Sequence, residues 1–379
     1  MNKVKINLDA LTSNLDVVGS WMDRHGASWC LVTKALCGHE ESLTALYRVG
    51  VRSIADSRLD NLLPYASGLE EVERCYLRLP DLSVIDEVVR MTDISLNSES
   101  VVIRELSKAA CANEKPHNVI IMVELGDLRE GILPGTLLGF YERVFELPGI
   151  RVLGLGAQLG CLAGAIPTVD QFTQVALYRE LLELKFGKQI PFISAGTSVA
   201  LPGLVEGIVP AAVNHFRVGE AVFLGPDLVH GGTMEGLRDD VIEVEAEIAE
   251  ITEKGLVPMC EVGAQTPFTG ESQDECEPHV PGERAHRALI TLGELDTDVA
   301  GLTPVDPTHR IAGSSSDITV VNIGENPDRL KVGDRLSFRP SYSAFVRLMS
   351  SQYVEREVNP PLSDFPGRQV RAPRAVTKG

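Results

Sequence analysis

The feature that most constrains this sequence of 379 residues is a repeated alternation of short apolar runs with segments of helical periodicity. The runs have the length of buried strands, and patterns such as "TVDQFTQVALYRELLELKFG" between them are helical. The eight runs are 29–34, 53–56, 74–79, 93–97, 118–125, 151–158, 192–195 and 215–218. Eight strands alternating with helices predict an α/β fold, a closed parallel (β/α)8 barrel of the TIM type. An open doubly wound sheet is the alternative, which the lack of a glycine-rich dinucleotide loop disfavours.

The pattern changes after Gly236. The stretch "VIEVEAEIAEI" alternates apolar and acidic residues with period two, which is typical of an antiparallel strand with one face in water. Similar stretches follow, separated by Gly, Pro and Asp turns. We therefore expect a C-terminal antiparallel β domain after the barrel. The expected segments are a strand at 1–7 that joins this β domain, the barrel at 8–235, the β domain at 236–358 and a Pro-rich tail at 359–379.

Composition excludes several classes of partner. With 44% hydrophobic and 23% charged residues, the chain has the composition of a soluble globular protein. The formal charge of −18 argues against nucleic acid as a partner. No apolar run is long enough to span a bilayer, and the opening "MNKVKINLDA" lacks a signal-peptide core, so we expect no membrane association. Seven cysteines without a CxxC pair predict a reducing, cytoplasmic location.

Candidate catalytic residues stand where the predicted strands end, because barrel enzymes carry their chemistry at the carboxyl ends of the strands. Lys34 ends the first run, "WCLVTK". A lysine rarely finishes a buried strand unless its amine is used, although a lysine at a barrel rim that extends into water is the alternative. Three further side chains stand in comparable places, namely Arg129, Gln158 and Arg217.

The loops after the seventh and eighth runs, "SAGTSVA" and "RVGEA", are rich in small residues. Phosphate-bearing groups bind at these two loops in TIM-type barrels. Ser198 and the backbone N–H groups of both loops would form a cradle for a dianion, while the alternative is that each loop is only a tight turn. A lysine opposite a phosphate site suggests a Schiff base to pyridoxal 5′-phosphate.

Nearly the whole chain resembles the fold-type III, pyridoxal-phosphate-dependent alanine racemase superfamily, within it the ornithine racemase-like branch. The motif "LVTKALCGHE" is similar to the cofactor-lysine motif of that family, which implies that Lys34 is the Schiff-base residue. The motif "FRVGEA" implies that Arg217 faces the pyridine nitrogen, with Gly219 and Glu220 also at the cofactor.

The same resemblance implies further roles. Thr197 and Ser198 stand where the family has an Asn-Ser pair and inherit the phosphate contact, while Gln158 replaces a histidine at the cofactor and Ser194 stands where another histidine often lies. The loop "ELGDLREG" resembles the family's "DTGMxRxG", which implies that Arg129 binds the substrate carboxylate.

One departure concerns the second catalytic base. Alanine racemases place a tyrosine in a "GYxDG" turn at the start of the β domain, where this sequence has "LGELDTD" with Glu294. The stretches "AGSSSD" and "SYSAFVRLMSSQYV" resemble the ornithine racemase-like branch. Glu294 and Tyr342 are therefore the catalytic candidates beside Lys34. The alternative for Glu294 is that it only caps a turn. The family implies that such residues reach the site from the second subunit of a head-to-tail homodimer.

The resulting hypothesis is a racemase that interconverts L- and D-amino acids by two-base proton transfer at Cα. The branch favours a basic substrate such as ornithine, as do 17 acidic against 4 basic residues over 235–300. One alternative is a lyase of the D-threonine aldolase type, which needs a divalent metal. For that lyase Cys276, His279 and His286 would be a partial ligand set, although we expect no metal. The other alternative is a non-catalytic carrier of the cofactor, which residues 236–358 argue against, because such carriers lack a β domain.

Overall fold

The computed structural model of the chain describes residues 2–66, 71–160, 162, 164–257 and 282–377. It divides into two compact units. One unit consists of Met1–Leu11, Ala35–Cys37 and Asp239–Phe365, and the other of Thr12–Lys34, Gly38–Arg238 and Pro366–Gly379. The four segments expected from the sequence stay a prediction. No helix in the described ranges is long and apolar enough to cross a membrane.

The second unit, here called the barrel unit, contains eight parallel strands in a closed barrel. With strands numbered along the chain, they are β2 (Ser28–Val32), β3 (Ser53–Asp56), β4 (Glu73–Tyr76), β5 (Ile94–Asn97), β6 (His117–Val123), β7 (Ile150–Ala157), β8 (Phe192–Thr197) and β9 (His215–Val218). Pairing of β9 with β2 closes the ring, and Cys30 stands opposite Arg217 there. The predicted (β/α)8 barrel is confirmed.

The helices between the strands cover most of the predicted helical segments. Their bounds are α1 (Leu8–His25), α2 (Glu40–Arg48), α3 (Leu63–Ala66), α4 (Ile85–Met91), α5 (Ser100–Ala112), α6 (Leu137–Phe145), α7 (Val169–Phe186), α8 (Leu201–Val205) and α9 (Glu220–Leu224). The start of α7 is fixed by a capping box between Thr168 and Gln171, and its end by Gly187 at a φ of 62°. Short 3₁₀ helices at Lys34–Leu36 and Ser198–Ala200 directly follow two barrel strands.

Part of the barrel interior is filled by apolar side chains, small ones from β2 to β4 and larger ones from β5 and β6. A buried cluster joins strands β2 to β6, and its members are Cys30, Ala55, Cys75, Ile94, Leu96, Ile120 and Met122. Glycine is required where two strands approach closely, since a Cβ on Gly196 would lie 2.0 Å from the ring of Phe216. This packing holds the carboxyl ends of the strands in a fixed register.

The first unit, here called the β unit, contains an eight-stranded sheet and the helix α10 (Tyr342–Ser350). Its strands are β1 (Lys3–Asn7), β10 (Ile242–Gly255), β11 (Arg284–Ile290), β12 (Leu302–Pro304), β13 (Arg310–Ser314), β14 (Thr319–Asn322), β15 (Arg335–Pro340) and β16 (Glu355–Asn359). The predicted antiparallel sheet is confirmed. In it, β1 runs antiparallel to β10. The sheet also contains a parallel pair, β1 with β16.

The acidic face of β10 is paired with cations of neighbouring strands. Glu245 forms ion pairs with Lys5 and with Arg335, the latter at 3.0 Å, and Glu243 pairs with Arg339 at 2.7 Å. The alternation read from the sequence is thus an amphipathic strand whose acidic side chains are largely compensated.

The C-terminal residues 366–377, here called the arm, are ordered against the barrel unit. The backbone N–H of Arg52 donates to Pro373 O at 2.8 Å, and Gln369 Nε2 donates to Arg48 O at 2.7 Å. At the tip of the arm, the backbone N–H groups of Val376 and Thr377 donate to the buried carboxylate of Glu73.

Candidate active site

Lys34 stands at the carboxyl end of β2, where its side chain is exposed. The residue before it is fixed, because Thr33 Oγ1 donates to Asp56 Oδ2 at 3.1 Å. Asp56, at the end of the next strand, also accepts from Arg58 N at 2.9 Å and from Asn61 Nδ2 at 3.0 Å. Burial raises the pKa of Asp56, and these hydrogen bonds oppose that rise. The lysine therefore extends from an anchored backbone.

Arg217 lies on β9, the strand that pairs with the one ending in Lys34. Its side chain is buried, at 4% exposure. Nη1 donates to the backbone oxygen and to the hydroxyl of Ser194, both at 2.5 Å. Nη2 donates to Ala157 O at 3.0 Å and to Gln158 Oε1 at 3.1 Å. Acceptors on β7 and β8 thus hold the guanidinium in one orientation.

Burial keeps two ionisable groups near this guanidinium neutral. Burial raises the pKa of the Cys30 thiol to about 12, although the charge of Arg217 opposes the rise. Burial lowers the pKa of His215 to about 3, and Arg217 adds to that effect. His215 Nδ1 lies 2.8 Å from Ser194 Oγ. Sequence reasoning missed His215; the only signal was a polar residue at the start of the buried run "HFRV".

The loops after β8 and β9 are joined at the predicted phosphate cradle. Ser198 Oγ accepts a hydrogen bond from the backbone N–H of Ala221 at 3.3 Å, so this N–H already has a partner. Thr197 and Ser198 are both buried, at 8% exposure. Gly219 leaves room for the close passage of β2, because a Cβ there would lie 2.8 Å from Val32 O.

Glu220 follows β9 and lies near Lys34 at the end of β2. Burial raises the pKa of its carboxyl group, and the charge of Lys34 opposes that rise. The interaction shows that the two side chains lie near each other. The barrel unit therefore brings together, at one end of the barrel, the sequence-predicted residues Lys34, Gln158, Thr197, Ser198, Arg217, Gly219 and Glu220.

Arg129 lies in the loop after β6, which is organised around one carboxylate. Glu124 accepts hydrogen bonds from the N–H groups of Gly126, of Leu128 at 3.1 Å and of Arg129 at 3.0 Å. The guanidinium of Arg129 forms a two-point ion pair with Glu130. The Glu130 side chain is only 9% exposed, against 37% for Arg129. Glu130 was not among the predicted residues, although its position beside Arg129 could have suggested the pair.

Glu294 and Tyr342 lie in the β unit. The Glu294 carboxylate accepts from Ser314 Oγ, and Tyr342 is the half-buried first residue of α10. Thr297 Oγ1 donates to Ala344 O at 3.1 Å, which ties the turn after β11 to the start of this helix. The role of either residue as a base stays a prediction.

The metal ligands considered for a lyase are only partly visible. Cys276 and His279 lie outside the described residues, and His286 is on β11, where its Nδ1 lies 3.3 Å from Gly324 O. Within the described ranges, no group of three His, Cys, Asp or Glu side chains could hold a metal ion.

Comparison with known proteins agrees with this arrangement. Residues 6–226 match the family described as "Alanine racemase, N-terminal domain". An ornithine racemase from Acetoanaerobium sticklandii is 32% identical over 94% of this chain and 99% of its own length. A lysine racemase from Thermotoga maritima is 30% identical over 94% of this chain and 98% of its own.

A solved structure shares the fold. It is an alanine racemase from Bartonella henselae with covalently bound pyridoxal phosphate, which covers 94% of this chain and 99% of its own at a TM-score of 0.68 and 16% identity. A closed eight-stranded parallel barrel together with a β sheet is the fold that this chain shares with that structure. The chain belongs to the alanine racemase family and is an amino-acid racemase.

Proposed function

We propose that this protein is a pyridoxal-phosphate-dependent racemase of a basic amino acid such as ornithine or lysine. The observation that carries the proposal is the Arg217 guanidinium, which is fixed by β7 and β8 on the strand that pairs with the one ending in Lys34. The substrates of the two curated relatives support the choice of a basic amino acid.

The donor set fits the cofactor of this family. The Lys34 amine, exposed at the end of β2, would hold its aldehyde. Because Ala221 N–H occupies one lone pair of Ser198 Oγ, the hydroxyl hydrogen of Ser198 can turn towards a phosphate oxygen, with Thr197 beside it. The Arg217 guanidinium would donate to the pyridine nitrogen, while Gln158, Gly219 and Glu220 would complete that side of the site.

When bound, pyridoxal phosphate withdraws electrons from an attached amino acid and so makes its Cα–H acidic. Lys34 would then take the proton from Cα on one face and return it. Arg217 acts differently, because a guanidinium donates hydrogen bonds and does not release its proton at physiological pH. It would keep the pyridine nitrogen unprotonated, which limits how much negative charge the ring accepts.

Arg129 would bind the substrate carboxylate through two parallel hydrogen bonds and so orient the Cα–H bond. In the structure the Glu130 carboxylate binds this guanidinium with the same two-point geometry. The substrate carboxylate would therefore take the place of a carboxylate that is already there.

The opposite face of Cα needs a second acid or base. We propose Glu294 or Tyr342, supplied by the second subunit of a head-to-tail homodimer, and a cytoplasmic location. Complementation tests the dimer. A Lys34→Ala subunit mixed with a subunit that carries both Glu294→Gln and Tyr342→Phe should recover activity that neither has alone, if each site combines residues of two subunits. Absence of recovery, with mixed dimers demonstrated by mass, would contradict shared sites.

The first experiment incubates cofactor-loaded protein with single L-amino acids in heavy water and follows Cα–H by NMR and chirality by chromatography. Exchange with inversion for ornithine or lysine is the expected result, and Lys34→Ala should abolish both. Exchange with full retention would show that no second base operates. Loss of turnover after removal of metals with a chelator would instead favour a metal-dependent lyase. No exchange with any amino acid, with cofactor bound, would refute the racemase.

A further inference from the structure

The donor and the acceptor can be assigned in both hydrogen bonds that join Arg217 to Ser194 Oγ and Ser194 Oγ to His215. A guanidinium only donates, so Ser194 Oγ is the acceptor of its bond from Nη1. The hydroxyl hydrogen of Ser194 then has His215 Nδ1 as its acceptor, at 2.8 Å. In the reverse direction Ser194 Oγ would receive two donors, and its own hydrogen would have no acceptor among the contacts of the described residues.

His215 is built to be that acceptor. It is 2% exposed and begins β9, two residues before Arg217 on the same face of the strand. Its ring is stacked on Phe192, with centroids 5.0 Å apart and planes 25° apart, so the direction of Nδ1 is set. Burial, with a contribution from Arg217, keeps the pKa of the ring at about 3, so the ring is neutral at neutral pH and one of its two nitrogens is an acceptor. The hydroxyl hydrogen of Ser194 assigns that role to Nδ1.

We propose that Ser194 and His215 are positioning residues for Arg217. His215 orients the Ser194 hydroxyl, and the hydroxyl oxygen in turn holds the guanidinium where it would donate to the pyridine nitrogen of the cofactor. Hydrogen bonds in such a chain polarise and strengthen one another in a buried setting. The proposal rests on the proposed function, since it assigns Arg217 to the cofactor.

The barrel contains a second chain of the same design that serves as a matched control. Asn97 Nδ2 donates to Ser95 Oγ at 2.9 Å, and Ser95 Oγ lies 2.8 Å from His117 Nε2. Burial lowers the pKa of His117 to about 3, as for His215. This chain ends on a neutral amide instead of a guanidinium. Loss of its members should cost packing and hydrogen bonding similarly, without moving Arg217.

The test compares Ser194→Ala and His215→Phe with Ser95→Ala and His117→Phe in the cofactor-loaded protein. We expect the first pair to change the visible absorbance spectrum of the bound cofactor and to lower kcat roughly ten- to a hundredfold, the effect of losing one hydrogen bond to a charged group. KM should stay close to the wild-type value, because the substrate carboxylate is bound elsewhere. His215→Gln retains an acceptor and should restore most of kcat.

Nitrogen-15 NMR of the cofactor-free wild type gives a reading that does not depend on activity or on variant folding. His215 should be neutral, with the hydrogen on Nε2 and Nδ1 accepting. A hydrogen on Nδ1 would overturn the proposal. So would cofactor spectra and kcat values for Ser194→Ala that match those of Ser95→Ala in a wild type that racemises normally. Failure of the wild type to bind the cofactor would refute the proposed function, and with it this role of Arg217.

Discussion

Replacement of a glycine by alanine inside a helix usually stabilises the protein. At Gly19 we expect destabilisation instead, because the arm passes directly over this position of α1. A Cβ on Gly19 would lie 1.6 Å from the backbone oxygen of Arg371 and 2.6 Å from its Cβ. The oxygen belongs to the main chain, so no side-chain rotation relieves the overlap and the arm itself must move. Movement of the arm threatens its anchor, the carboxylate of Glu73, which is 1% exposed.

The structure sets the size of the effect. Glu73 accepts from Val376 N at 2.9 Å and from the N–H and hydroxyl of Thr377, both at 2.6 Å. A hydrogen bond to a charged group contributes about 1.5–3 kcal/mol net, and displacement of the arm would cost the equivalent of one or two, about 2–5 kcal/mol. The helix gains about 1 kcal/mol from the exchange of glycine for alanine. Gly19→Ala should therefore destabilise the barrel unit by about 1–4 kcal/mol.

Denaturant unfolding and hydrogen exchange check this. In the full chain, Gly19→Ala should lower the unfolding midpoint and speed exchange at the amides of Val376 and Thr377. In a chain shortened after Phe365, the same substitution should be neutral or stabilise by up to about 1 kcal/mol. Gly139→Ala in α6, where a Cβ would meet only the Arg143 guanidinium at 3.6 Å, is the control and should behave alike in both chains. Equal destabilisation by Gly19→Ala with and without the arm would refute the reasoning.

Three further predictions concern the site and the barrel. Glu130→Gln should lower the KM of the amino-acid substrate about twofold to fivefold with kcat unchanged, because a neutral amide competes less for the partly exposed Arg129, and an unchanged or raised KM in steady-state assays would contradict the exchange of carboxylates. Cofactor-free protein should lose stability as pH falls from about 6.5 towards 3, because His117 binds a proton in the unfolded chain and stays neutral in the folded one. His117→Gln should reduce the slope of the unfolding free energy against pH by about 1.4 kcal/mol per pH unit in this range, and an unchanged slope would contradict the prediction. Gly219→Ala should weaken cofactor binding roughly tenfold in fluorescence titrations, because its Cβ would meet Val32 O at 2.8 Å, and wild-type affinity would show that the loops adjust.

Local periodicity was sufficient for the barrel, since its strands lie in short, mainly apolar runs and the helices between them follow a different period. It could not reveal the parallel pair of β1 with β16, in which Lys3 stands opposite Glu355. The docking of the arm was equally out of reach. Both features depend on contacts between segments far apart in the sequence. A Pro-rich segment also has no periodicity from which its partner could be predicted.

The candidate site was also predictable only in part. Lys34 and Arg217 could be placed because strand ends of a barrel converge at one edge. What holds Arg217 in place depends on the register of β8 against β9, where Ser194 stands opposite His215. Ser194 and His215 are each a single polar residue in an apolar run, and the sequence alone does not predict that they contact each other. Glu130 is similar, because its partnership with Arg129 follows from the shape of the loop that Glu124 organises.

The acidic excess of residues 235–300 was one reason to expect a basic substrate. The ion pairs in the β unit weaken that reason. Glu243 and Glu245, the acidic residues of β10 described above, are paired with Arg339, Arg335 and Lys5 on adjacent strands. Carboxylates compensated at such distances contribute little field beyond their own sheet, because opposite charges cancel within a few ångströms and salt screens the remainder. The preference for ornithine or lysine therefore rests on the relatives. The side-chain amine must be selected by particular groups near the substrate, since the net charge of this sheet does not select it.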